Sequence, residues 1–82
     1  MHESGMIQKL VRTALEEAER RGGRLTAIDI RLGALAGGSA AHLREHFEHE
    51  IQHLGVGPIE LRISEIEHHP AGVEITGIEY RA

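Results

Sequence analysis

The stretch Leu25-Thr26-Ala27-Ile28-Asp29-Ile30-Arg31-Leu32 decides the fold. Ile28, Ile30 and Leu32 alternate with Asp29 and Arg31, the period of two that sends successive side chains to opposite faces of a β-strand. One face is apolar and the other charged, so this strand belongs to a sheet with one buried face.

Working outward, the residues before it carry a helical period. Met6, Ile7, Leu10, Val11, Ala14, Leu15 and Ala18 form one apolar stripe, while Lys9, Arg12, Glu16, Glu17, Glu19 and Arg20 fill the wet face. Ser4 is in place to cap this helix, and Gly22-Gly23 to stop it. After the strand, Gly33 to Gly38 is a small-residue connection and Ser39 a second cap. Leu43, Phe47, Ile51 and Leu54 then form the stripe of a second helix, which ends at Gly55 ahead of the Gly57-Pro58 break.

Two further strands follow. Ile59, Leu61 and Ile63 alternate, as do Val73 and Ile75, and each run then shifts phase, at Ile66 and at Ile78 with Tyr80. Folding the pair as a hairpin around residues 69–72 sets Ile66 opposite Ile75, Ile63 opposite Ile78 and Leu61 opposite Tyr80, which matches apolar with apolar. Gly77 is the expected site of a bulge. The expected class is α+β: one small two-layer domain over residues 1–82, in the order α-β-α-β-β, with a three-stranded mixed sheet and both helices on one face.

Composition narrows the function. The chain has 82 residues, 40% of them hydrophobic, and Phe47 and Tyr80 are the whole aromatic complement. A core this thin favours pairing with a second copy. A net charge of −4, with acids and bases interspersed, disfavours nucleic acid as a partner. No apolar run approaches a membrane span and no signal peptide is visible, so a cytoplasmic protein is expected. The absence of cysteine excludes disulfides and thiolate metal sites. Seven histidines are the anomaly, because imidazole is the commonest metal ligand.

Three histidine groups are candidates. Met1-His2-Glu3 sets an imidazole and a carboxylate beside an α-amine and the first backbone amides, a nitrogen and oxygen donor set suited to Ni(II) or Cu(II). His42, His46, His49 and His53 follow one another at helical spacing, and at ~100° per residue they fall within about 60° of one another. They form either a metal-binding stripe or a polar edge beside the core. His68-His69 lies in the segment between the last two strands, either as an exposed turn or as a source of one extra ligand. Paired hydrolytic carboxylates, a nucleophile with an arranged base, and a phosphate-binding loop are all missing, so the sequence argues against an enzyme.

The order of elements, with the residues that carry it, resembles the nickel-binding domain of the HypA/HybF hydrogenase-maturation metallochaperones. Met1-His2-Glu3 runs directly into the first helix. Residues 28–37, IDIRLGALAG, are similar to the family's strand and following Gly-x-Leu-x-Gly turn. Leu43 and Phe47 sit where the family's second helix has its Leu and Phe. Ile59 to Ile63 and Ile75 to Glu79 are similar to the strands that flank the family's zinc domain. The resemblance implies nickel held by His2 and backbone nitrogens of the first residues, with Glu3 in or near the ligand shell. It also implies delivery to a nickel-loading GTPase or a hydrogenase large-subunit precursor. The four-cysteine zinc domain is missing, and residues 67–73 stand in its place, expected here as a hairpin turn; no structural zinc is expected, since that site needs four closed ligands. Two other readings compete: a metal-independent, dimeric structural paralogue, and a histidine-rich metal buffer or sensor using His42, His46, His49 and His53.

Overall fold

A computed structural model describes residues 3–33, 40–66 and 72–82, with backbone alone for Glu3 and Ser4. The elements are α1 (Glu3–Arg20), β1 (Arg24–Gly33), α2 (Ala40–Leu54), β2 (Glu60–Ile66) and β3 (Val73–Arg81). The order and class are those expected: an α+β domain with two helices over one face of a three-stranded mixed sheet.

α1 begins at Glu3, so Ser4 lies inside its first turn rather than capping it. The apolar stripe carries the helix past the polar cap position. Its other end closes as a Schellman motif: the Gly23 N–H donates to the Ala18 carbonyl and the Gly22 N–H to that of Glu19, each at 2.9 Å. Gly22 sits at φ +77°, where a side chain would be strained. α2 ends in the same way at Gly55, φ +68°, with the Val56 N–H donating to the Ile51 carbonyl. Leu54 does not join the core, since 42% of it is exposed. It is the last helical residue, the chain reverses at Gly55, and Val56 packs against the core in its stead.

The sheet order is β2-β1-β3, which corrects the expected hairpin. β2 and β3 do not pair with each other. Each pairs with β1, β2 in parallel and β3 antiparallel. This sets Ile28 between Leu61 and Ile78, and Ile30 between Ile63 and Ile75. A β2–β3 hairpin would have left β1, the most buried strand, at a sheet edge with its apolar row flanked on one side only.

The phase shifts along β3 have a direct cause. Gly77 lies opposite Asp29 but Ile75 opposite Ile30, so Thr76 is an extra residue and Ile75 and Ile78 share the helix-covered face. The bulge therefore falls beside Gly77, as expected. A second irregularity between Leu25 and Ala27 does the same for β1. β2 has no bulge; Ile66 pairs with Gly33, on the other side of the strand from Leu61 and Ile63, and stays 39% exposed.

The core lies between the helices and the sheet. Phe47, Ile7, Ile28, Ile30 and Val11 are its most enclosed large side chains, and Ile59 and Leu61 close it on the β2 side. A guanidinium bond from Arg44 to the Leu61 carbonyl, 2.6 Å, ties α2 to β2. Among the described residues no helix is long and apolar enough to cross a membrane.

Candidate functional site

Connectivity fixes which candidate residues share an end of the molecule. α1 turns back into β1 within three residues, so the start of α1 and the end of β1 lie at the same end of the sheet. β1 ends there at Gly33, which pairs with Ile66 at the end of β2 and donates its N–H to the Gly72 carbonyl at 3.0 Å. α2 also starts at that end, since it must return the chain to the start of β2, which lies beside Ala27. Glu3, Gly33, Ala40, Ile66 and Gly72 thus all lie at one end of the sheet.

Of the N-terminal set, Met1 and His2 lie outside the described residues, and Glu3 is the first residue of α1. His68 and His69 also lie outside them, between Ile66 and Gly72. What bears on the terminal site is its support. The first N–H groups of a helix have no intrahelical partner. An N–H at the start of α1 can therefore lose its proton to a metal without breaking a helical hydrogen bond. The turns that follow are anchored by buried Ile7, Leu10 and Val11.

The α2 histidines stand clear of the core. His42, His49 and His53 are exposed and His46 is half-buried. The His42 and His46 rings stack, with centroids 4.7 Å apart and planes 11° from parallel. Among the described residues, no group of three or more histidines or carboxylates is arranged to hold a metal ion.

The sheet face away from the helices carries a charged network that sequence reasoning did not single out. Arg62 lies within ion-pair range of Glu79 (2.7 Å), Glu60 (3.3 Å) and Asp29 (3.6 Å), and Arg31 pairs with Glu74 at 3.4 Å. Hydrogen bonds to Glu79 and then Glu60 raise the Arg62 pKa further above its ordinary value. The signal was present in the sequence: these are the polar residues of the same alternations that placed the apolar ones. At the far end of the sheet from the terminal site, a broad open depression of ≈ 1340 Å³ is lined by Leu15, Arg24, Val56, Pro58 and Tyr80 among others.

Set beside models of known protein families and beside curated proteins, the chain matches none.

Proposed function

We propose that this protein is a non-enzymatic nickel metallochaperone of the HypA-like kind, which takes up Ni(II) at Met1-His2-Glu3 and passes it to a partner during maturation of a nickel enzyme. The observation that carries the reading is the start of α1 at Glu3. The first amides of that helix have no helical hydrogen-bond acceptor, and in the sequence they directly follow the histidine. An imidazole and an amine can anchor the ion while a neighbouring amide nitrogen closes planar chelate rings around it. The α-β-α-β-β order behind the tripeptide adds support, since it is the order that the resemblance implies.

The same position favours release. The N-terminal end of a helix carries a partial positive charge, which opposes a bound dication. By resemblance, the acceptor is a nickel-loading GTPase or the precursor of a hydrogenase large subunit, in the cytoplasm. Because the imidazole must be deprotonated to bind, affinity falls as the pH drops through the histidine range.

Titration of the untagged protein with Ni(II) tests the reading. The visible band of a planar diamagnetic site should grow until one ion per chain occupies it. Both His2→Ala and a one-residue N-terminal extension, which shifts the α-amine and leaves every side chain in place, should weaken binding strongly. Unchanged binding in both variants would remove the proposal. Affinity no better than ~100 μM, a free energy of only about −5.5 kcal/mol, would support the metal-independent structural reading instead.

A further inference from the structure

The proposed terminal nickel site does not call on the histidines of α2, whose spacing has a symmetry of its own. His42, His46, His49 and His53 are separated by four, three and four residues. A two-fold axis level with the Phe47–Glu48 bond exchanges His42 with His53 and His46 with His49. Two antiparallel copies of α2 related by such an axis bring His42 and His46 of one copy level with His53 and His49 of the other, and do so twice. Self-complementarity of this kind is what an isologous dimer contact requires.

The ligand count points the same way. One chain offers two-histidine pairs on adjacent turns, and no larger group among its described residues. Imidazole suits zinc, copper and nickel, and a closed tetrahedral shell takes four ligands. Each copy therefore supplies half a shell. Charge supplies the reason for a cation between the copies. α2 carries Glu45, Glu48 and Glu50 against the single positive charge of Arg44, so two such helices repel unless divalent ions lie between them. Three of the four rings are exposed, and the fold uses none of the four to fill its core.

We infer that α2 is a metal-dependent dimerisation surface, on which two copies of this chain close two four-histidine sites around divalent zinc-type ions. The ions lie about 10 Å apart along the helix, seven residues at about 1.5 Å each. A metal lies in the plane of each imidazole that binds it. The His42 and His46 rings, stacked at 4.7 Å and nearly parallel, therefore belong to the metal-free state, and at least one turns as the site closes.

Sedimentation velocity on the untagged protein tests this, with zinc sulfate at one ion per chain and then with excess EDTA. The His2→Ala variant is run alongside, so that the terminal site contributes nothing. Zinc should double the mass of both proteins, with one ion bound per chain in His2→Ala, and EDTA should restore the monomer. The double variant His49→Ala/His53→Ala, checked for folding by circular dichroism, should stay monomeric in zinc. A monomer of His2→Ala at one zinc per chain, a dimer that survives EDTA, or dimerisation by the double variant would each overturn the inference. None of these outcomes depends on whether nickel binds at His2.

Discussion

The Arg62 guanidinium on β2 binds the Glu79 carboxylate on β3 at 2.7 Å, reaching across the full width of β1. Glu60 and Glu79 are the two residues paired with Ala27, one on each side, and Arg62 binds both. Its side chain thus roofs Ala27. That accounts for an alanine only 2% exposed that lies outside the main core cluster, on the face that no helix covers. The bridge fastens the two outer strands to each other as well as to the strand between them.

Arg62→Ala should lower the midpoint of urea unfolding, and Arg62→Met should lower it less, because the methionine keeps the cover over Ala27 and loses only the charge. The difference between wild type and Arg62→Met should shrink in 1 M salt, where the screening length falls to ~3 Å. A loss that is equal in the two variants and indifferent to salt would rule out a charge contribution.

Phe47 is fully enclosed and is the largest side chain of the core. Phe47→Ala should cost about 3–5 kcal/mol in the free energy of urea unfolding. A domain of this size holds only about 5–15 kcal/mol in all, so the variant should be close to unfolding at 37 °C. Leu54→Ala, at the exposed end of the same sequence stripe, should cost far less.

Gly55→Ala forces a β-carbon into φ +68° at the α2 terminus, although there is open space around it. The cost should be conformational, about 1–2 kcal/mol of stability, with no change in the circular dichroism spectrum. Gly23→Ala should fail for the opposite reason. Its β-carbon would lie 2.5 Å from Tyr80 Cδ2 and 2.9 Å from the Arg81 carbonyl oxygen, so the end of β3 must move.

Glu17 accepts a hydrogen bond from Arg21 at 2.8 Å and lies 3.1 Å from Arg20. The Arg21 bond, aided by the charges of Arg20 and Arg21, holds its carboxyl below the usual glutamate value. A depressed carboxylate stabilises the fold above its unfolded pKa, and that contribution fades as the pH falls through the folded one. Wild type should therefore exceed Glu17→Gln in urea midpoint at neutral pH, by a small margin on an exposed surface. The two should converge in acid. A constant gap across the titration would mean that the pair contributes nothing through ionisation.

Local pattern carried most of this architecture. The period of Ile7, Leu10, Val11 and Ala14 placed α1, and Gly22-Gly23 and Gly55 marked where α1 and α2 stop. The alternation around Asp29 and Arg31 placed the central strand and its wet face. What pattern could not supply was partner choice. Leu61 matches Tyr80 as well as it matches Ile28 when only apolar character is compared. The decision rests on how many neighbours β1 gains, which is a property of the whole sheet. The same limit applies to Leu54: its helical phase is right, but the chain reverses one residue later and leaves it outside. For the proposed terminal site, the residues come from the sequence alone, and the start of α1 at Glu3 adds only that the first helical amides lack intrahelical partners. The Arg62 network went unread because it joins residues 17 positions apart through a strand that only the three-dimensional order puts between them.

The order β2-β1-β3 has one more consequence. Ile66 ends β2 and Val73 begins β3 on opposite sides of β1, so the two are separated by two interstrand spacings, about 10 Å. That gap matches the close termini of an independently folded unit, and the bonds of β2 and β3 run to β1 rather than to each other. The position is therefore a natural socket. A short link or an entire module can join Ile66 to Val73 while the sheet beneath keeps every pairing.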